Sequence, residues 1–251
     1  MELKQRWYNA IDIRTSRRAY KHQTMNSFKA NQIKDLIRVV NAESGLHIRF
    51  VEDGNPYLSG LKASYGLFSG SPSLIAMVGE ANQPDLKRLT GYYGELILLE
   101  CISIGLGTCW IGGSYDREQC SKSIKLKNSE TLVCTIAAGE TAAFKTLKES
   151  LISQIGRKKQ SFEELLADTD ETPPLWVKLG IEAARTAPSA VNGKPIAYRF
   201  QNNEVSAFIA KRHYGSEEID LGISMAHFQL GAMQGLHYGS WLKDGDQYVF
   251  R

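Results

Sequence analysis

Three arginines and two hydroxyl side chains occupy five consecutive positions near the start of the chain, Arg14, Thr15, Ser16, Arg17 and Arg18. In an extended segment alternate side chains point to the same side, so Arg14, Ser16 and Arg18 can converge on one anion. A guanidinium group binds phosphate oxygens through two parallel hydrogen bonds, and a hydroxyl group can donate a third. The spacing therefore predicts a phosphate site, and a solvated basic stretch is the alternative.

A second cluster is a compact turn of small residues between two prolines, Ala187-Pro188-Ser189-Ala190-Val191-Asn192-Gly193-Lys194-Pro195. The prolines stiffen the backbone, and the small side chains let it approach a flat ligand closely. Asn192 offers both a donor and an acceptor to the edge of a heterocycle. The pattern indicates a ring-binding turn, while an ordinary loop remains the alternative for this motif by itself.

Several familiar site patterns are missing. Gly105-Leu-Gly107 lacks the third glycine of a dinucleotide fingerprint, and Asn192-Gly193-Lys194 lacks the first glycine and the Ser/Thr of a phosphate-binding loop. Neither a Gly-x-Ser-x-Gly elbow nor a His-Glu-x-x-His motif occurs, so serine or zinc hydrolysis has no support. No metal site is expected. The four cysteines lack zinc spacing and are expected to be small buried residues in a reducing compartment: Cys101, Cys109, Cys120 and Cys134.

The 251 residues, of which 43% are hydrophobic and 23% charged, suit one large globular domain or two small ones and exclude disorder. The net charge of +3 does not indicate a nucleic-acid partner. No uncharged stretch reaches the roughly 18 apolar residues of a membrane span, and the N-terminus lacks the apolar core of a signal peptide. A cytoplasmic protein without a membrane partner is expected.

Hydrophobic spacing predicts the elements that position these motifs. Apolar residues at three- and four-residue intervals predict a helix over 26–40, and a mostly apolar helix over 89–104 should be central to the core. Gly105 is expected to end that second helix in the left-handed conformation. Short strands are predicted over 47–52, 73–78, 110–113 and 132–138.

A change in composition over 139–175 predicts an exposed connecting arm that ends at Pro173-Pro174. We therefore expect a first half over 1–165, a linker over 166–174 and a shorter second half over 175–251. The helical pattern over 219–236 repeats the design of 92–106, since both are mostly apolar, end in Gly-Leu and precede a tryptophan. This repetition predicts an internal duplication, with chance similarity of two core helices as the alternative.

Taken together, the arginine-rich segment 14–20, the segment 105–113 and the turn 187–192 resemble the FMN-dependent nitroreductase family. The helix that begins at Asp220 is similar to that family's long core helix, so the resemblance covers nearly the whole chain. It implies an α+β fold with a nitroreductase-like antiparallel-sheet core, central long helices and an internal pseudo-dimer of two unequal halves.

The order of the motifs departs from the family pattern. The Pro-Ser-x-x-Asn turn usually follows soon after the arginine motif, whereas residues 42–50 occupy that place here. Family members are typically homodimers with FMN at the subunit interface. A fused chain that kept one motif in each half would build one composite site per polypeptide, in a monomer with an internal pseudo-dimer or in a homodimer.

The resemblance also assigns cofactor-binding roles. It implies that the FMN phosphate and ribityl chain are bound by Arg14, Thr15, Ser16 and Arg18, and that Arg157 and Lys159 reach the same phosphate. It places along the ring system Pro188, Ser189, Ala190 and Asn192. The backbone amides that face flavin N5 and O4 would be those of Ile111, Gly112 and Gly113. No catalytic acid or base is nominated, and the five histidines are expected to be structural or surface residues.

The implied reaction takes hydride from NAD(P)H to the flavin and passes it to a nitro compound, quinone or similar small acceptor in a shared pocket, with ping-pong kinetics. The main alternative is a flavin- or nucleotide-binding protein of the same fold without turnover. A nucleic-acid module that uses the basic segments 14–18 and 157–159 is a third reading.

Overall fold

The protein is described by a computed structural model that covers residues 1–58, 67–147, 149–150, 160–167, 171–212, 214–245 and 247–251. Arg157 and Lys159 lie outside these described residues. The chain divides into two compact units. The first comprises Met1, Ile13–Leu86 and Ile97–Ile155, and the second comprises Glu2–Asp12, Lys87–Leu96 and Gly156–Arg251. The predicted halves are contiguous in sequence, whereas these units interleave, because residues 2–12 and 87–96 group with residues 156–251.

In chain order, the described elements are α1 (Gln5–Ile13), α2 (Ser27–Ser44), β1 (Arg49–Val51), α3 (Asn55–Leu58), β2 (Ser73–Glu80), α4 (Leu86–Ser103), β3 (Gly107–Ile111), α5 (Arg117–Ser123), β4 (Glu130–Gly139), α6 (Phe162–Leu165), α7 (Leu175–Arg185), a 3₁₀ turn (Ala190–Asn192), β5 (Ile196–Gln201), β6 (Glu204–Ile209), α8 (Glu217–Gln234), β7 (Trp241–Asp244) and β8 (Gln247–Phe250). No helix among them is long and apolar enough to cross a membrane.

The first unit contains a four-stranded antiparallel sheet in the order β1-β2-β4-β3. Strand β2 is buried along nearly its whole length, as its continuous apolar run predicted. Helix α4 ends with Gly105 in the left-handed region at φ 80°, and the Leu106 N–H donates to the Cys101 carbonyl at 2.9 Å. This hydrogen bond confirms the predicted glycine end of the helix.

The second unit contains its own four-stranded antiparallel sheet, in the order β5-β6-β8-β7. Helices α7 and α8 pack on each other, and the core is rich in aromatic residues, among them Trp176, Tyr198, Phe228 and Phe250. The mixture of helices and antiparallel sheets confirms the predicted α+β class. All four cysteines are buried and free, as predicted.

The predicted exposed arm over 139–175 is only partly correct. Its described residues include α6, which begins with a reciprocal capping box between Ser161 and Glu164. Leu165 and Leu166 are buried in the core of the second unit, and Leu166 pairs with Tyr198. Two adjacent leucines anchor this stretch because their burial removes apolar surface from water, a gain that the charged composition around them concealed.

The two sheets repeat one topology. Along the chain, a helix of 18 residues lies between the second and the third strand of each sheet. In each sheet the strands lie in the order first-second-fourth-third. Gly91 and Gly222 are the sixth residues of α4 and α8. A Cβ atom at Gly91 would lie 2.0 Å from the Ile219 carbonyl oxygen, and one at Gly222 would lie 2.0 Å from the Arg88 carbonyl oxygen. Reciprocal contacts at equivalent positions are those expected of an internal duplication, and the pseudo-dimer itself stays a prediction.

Candidate functional site

The arginine segment, residues 14–20, runs in extended form beside β3 in the first unit. Ser16 pairs with Thr108 in parallel orientation, and the Arg17 N–H donates to the Thr108 carbonyl at 2.8 Å. Farther along, the Tyr20 N–H donates to the Ser69 carbonyl at 2.9 Å. Alternate side chains of this segment therefore point to opposite sides.

Arg17 is used by the fold itself. Its side chain is buried, and its Nε donates to Glu149 Oε1 at 3.1 Å. One terminal nitrogen donates to the Thr141 hydroxyl and the Ala142 carbonyl, and the other donates to the Phe144 carbonyl. These four side-chain hydrogen bonds give Arg17 a structural role.

Glu149 also fixes the backbone of the arginine segment. Its Oε1 accepts from the Arg18 N–H at 2.7 Å and the Ala19 N–H at 3.1 Å, while its Oε2 accepts from the Thr146 N–H at 2.9 Å. Burial raises the pKa of the Glu149 carboxyl, but these backbone hydrogen bonds and that from Arg17 lower it further, to about 2. Glu149 is therefore ionised at neutral pH. The sequence analysis missed this residue.

The Ser16 side chain forms a hydrogen bond with the thiol of Cys109, and the Arg14 and Arg18 guanidinium groups act on the charge of this thiol. Burial raises the pKa of this thiol, whereas the Arg18 guanidinium, a hydrogen bond with the Ser16 side chain and the Arg14 guanidinium lower it. All three side chains therefore influence one thiol, and their convergence on one anion stays a prediction. Within the described part of the chain, the Arg18 side chain makes no hydrogen bond or ion pair. Thr15 is half-buried in the same extended segment.

Strand β3 pairs with the arginine segment near its start and leads to the predicted amide donors at its end. Ile111 is buried, and Gly112 and Gly113 follow it in an exposed bend. A Cβ atom built at either glycine meets no other atom within 4 Å, so the packing of the chain does not require glycine there. Thr108 and Gly112 are separated by about 13 Å along an extended strand. The open bend and this spacing fit a ligand with a phosphate at one end and a flat ring at the other.

The turn segment, residues 188–194, follows α7 in the second unit and has a strained backbone. Three of its residues that are not glycine have positive φ: Val191 at 47°, Asn192 at 55° and Lys194 at 49°. For a β-branched residue such as Val191 this conformation is unusual, and each such position costs on the order of 1–3 kcal/mol. The four predicted ring-binding residues are all half-buried: Pro188, Ser189, Ala190 and Asn192.

Two charged side chains hold the turn segment. Both carboxylate oxygens of Asp220, in the first turn of α8, accept from the Ala190 N–H, at 3.0 and 3.2 Å. The Lys194 Nζ donates to the carbonyls of Arg185 at 3.0 Å and Ala187 at 2.6 Å. Burial raises the pKa of Asp220 to about 7. Neither residue was predicted, although an aspartate inside an apolar helix is a signal in the sequence.

One further cluster of charged groups lies in the first unit. His47, Glu80 and Glu130 place ligand atoms within 4.8 Å of one another. Glu130 is bound by Arg49 at 2.5 Å and by His47 at 2.9 Å. Burial raises the pKa of Glu130, but the Lys127 N–H, Arg49 and His47 lower it to about 2. The cluster is an ion-pair network that joins the ends of β2 and β4.

Comparisons with known proteins agree with this fold. The crystal structure of a nitroreductase from Thermotoga maritima MSB8 is similar, with a TM-score of 0.64 and 20% identity over 97% of this chain and 92% of that chain. An FMN-dependent nitroreductase from Clostridium difficile R20291 has a TM-score of 0.46 and 16% identity over 55% of this chain and 88% of that chain. No curated protein matches the sequence.

A comparison with family models gives the assignment. The model described as "Putative TM nitroreductase" matches residues 6–232, which include both the arginine segment and the turn segment. The chain belongs to this nitroreductase family.

Proposed function

We propose that the chain is an FMN-dependent oxidoreductase that uses NAD(P)H to reduce a nitro compound, a quinone or a similar small acceptor. Membership of a nitroreductase family supports a flavin-dependent oxidoreductase in general. The observation that supports the finer proposal is that Arg14, Ser16 and Arg18 all influence the Cys109 thiol, whereas the Arg17 side chain is bound to Glu149. Two guanidinium groups and a hydroxyl group match the oxygens of a phosphate.

Each group of residues has a proposed task. Arg14, Ser16 and Arg18 bind the phosphate, Thr15 binds the ribityl chain, and two further cations, Arg157 and Lys159, return to the phosphate. The backbone amides of Ile111, Gly112 and Gly113 stabilise the electron-rich edge of the ring, as fixed donors do where negative charge develops. The other ring contacts come from Pro188, Ser189, Ala190 and Asn192.

When bound, FMN would supply the two-electron chemistry between NAD(P)H and the acceptor. The chain binds and orients its ligands and needs no side chain as nucleophile, acid or base. The open bend at Gly112 and Gly113 adds no side-chain bulk where a reductant or acceptor must stack. Successive use of one pocket gives ping-pong kinetics.

Flavin titration of the purified protein tests the binding site. We expect one FMN per chain, and replacement of Arg14 and Arg18 together by Ala should weaken binding by about 100-fold or more, since hydrogen bonds to charged groups contribute about 1.5–3 kcal/mol each. Arg38→Ala is the matched control, because Arg38 is an exposed arginine of α2 in the same unit. A wild-type protein that is colourless and takes up no FMN contradicts the proposal.

Steady-state kinetics separate turnover from binding alone. With a nitroaromatic or quinone acceptor, NAD(P)H oxidation should depend on FMN and give parallel double-reciprocal lines. Intersecting lines contradict successive use of one pocket. Tight FMN binding without NAD(P)H oxidation favours the alternative of a flavin-binding protein without turnover.

A further inference from the structure

Polar anchors contribute to the position of the turn segment. A small pocket lies behind it and is lined partly by Pro188, Ser189, Lys194, Asp220 and Ser224. Val191 is 70% exposed, so it contributes little apolar burial to offset its left-handed backbone. A strained conformation persists only where the surroundings over-determine it. The surroundings here include hydrogen bonds from two charged side chains.

Asp220 and Lys194 supply the charged members of that set. The Asp220 carboxyl group, which is buried, binds the Ala190 N–H with both oxygens. The Lys194 ammonium group bridges the carbonyl of Arg185, the last residue of α7, and that of Ala187, which lies just beyond the helix. The Lys194 N–H also donates to the Ser189 hydroxyl at 3.0 Å, which closes the turn.

We propose that Asp220 and Lys194 are positioning residues for the flavin, which touch no atom of the cofactor and act by holding residues 188–192 in the conformation that contacts the ring. This inference rests on the proposed function. It adds to the machinery of the site two residues to which the sequence analysis assigned no role, Asp220 from α8 and Lys194 from the end of the turn segment.

The charge of Asp220 gives this role a measurable signature. Burial and the neighbouring Glu217 raise the pKa of Asp220, while the Ala190 N–H and Lys194 lower it, and the balance is about 7. An ionised carboxylate accepts a stronger hydrogen bond than a neutral carboxyl group. The anchor is therefore stronger above pH 7, and flavin affinity should rise as Asp220 loses its proton. By linkage, flavin binding lowers the pKa of Asp220.

The test measures FMN dissociation constants at pH 6 and pH 8 by flavin fluorescence. For each protein, the affinity at pH 8 is divided by the affinity at pH 6, and the value for the wild type is then divided by the value for Asp220→Asn. Titration of the FMN phosphate affects both proteins alike and cancels in this comparison. We expect a value of about 3–10, because a charge-assisted hydrogen bond is roughly twice as strong as a neutral one. Glu218→Gln, an exposed carboxylate in the same helical turn, should keep the wild-type ratio.

Lys194→Met provides a second variant. It should weaken FMN binding at both pH values, and it should move the pH transition of affinity upward, because loss of the neighbouring positive charge raises the pKa of Asp220. If Asp220→Asn has a lower melting temperature but the same pH 8 to pH 6 affinity ratio as the wild type, Asp220 has a structural role only and the inference is overturned. Tighter binding of the wild type at pH 6 than at pH 8, relative to Asp220→Asn, also overturns it. If the wild type binds no FMN at either pH, the proposed function fails first.

Discussion

Arg17 and Glu149 form a buried ion pair, and Glu149 also binds the backbone of the arginine segment. Replacement of Glu149 by Gln should destabilise the protein by about 3–5 kcal/mol, because it leaves the Arg17 charge buried without its counter-ion. The backbone N–H groups of Arg18 and Ala19 would keep only a neutral acceptor. Urea unfolding at neutral pH measures the loss, and FMN affinity should fall with it.

The pH dependence of this loss has a definite sign. The pKa of Glu149 is lowered to about 2 from its ordinary value of 4.5, so its stabilisation is complete above pH 4.5 and is lost as pH falls through 2. The difference between wild type and Glu149→Gln should therefore shrink over that window. Glu140→Gln is the control, since its partly exposed ion pair with Lys29 should contribute much less than the buried pair of Arg17 and Glu149. Equal losses in the two variants at neutral pH would refute the anchoring role.

At the scale of elements, Gly222 allows two helices to pack closely, whereas Gly112 lies in an open bend. Gly222→Ala should separate α8 from the first part of α4, because the new Cβ atom would lie 2.0 Å from the Arg88 carbonyl oxygen. Overpacking against backbone that cannot yield costs about 3 kcal/mol. Thermal unfolding should show a large decrease in melting temperature.

Gly112→Ala is the matched control for that change. Its Cβ atom meets nothing within 4 Å, so stability should stay within about 0.5 kcal/mol of the wild type. If the bend after β3 faces the flavin, the same variant should weaken FMN binding. A melting temperature of Gly222→Ala equal to that of Gly112→Ala would show that the helices do not approach as closely as described.

Local patterns predicted the elements well, because helical and strand periodicity is a property of neighbouring residues. The apolar face over 26–40 gave α2, the run over 73–78 gave β2, and Gly105 ended α4. The partners of the motifs could not be found in this way. Glu149 is 132 positions from Arg17, and Asp220 is 30 positions from Ala190. No spacing rule connects such distant residues, so the anchors of both segments became visible only in the fold.

At the scale of the molecule, the repeated topology raises the question of whether one chain or two supply the residues of the proposed flavin site. Each unit has the same order of strands in its sheet, and α4 and α8 meet through equivalent glycines. The resemblance to the nitroreductase family implies that, in a member built from two chains, each motif is supplied by a different subunit. We propose that a duplication within one polypeptide let each copy keep one motif and lose the other, which would account for the distance in sequence between the arginine segment and the turn segment.

A complementation experiment tests this arrangement. Arg14→Ala with Arg18→Ala removes the phosphate ligands, and Asn192→Ala with Ser189→Ala removes polar groups of the turn segment. If one chain supplies both motifs, unfolding and refolding the two variants together restores no FMN binding, because neither chain holds an intact site. If two chains share each site, mixed dimers recover up to about a quarter of the wild-type sites, since half the molecules are mixed and each holds one intact site of two. Recovery at that level, with wild-type affinity in the flavin titration, would reject the composite site within one polypeptide.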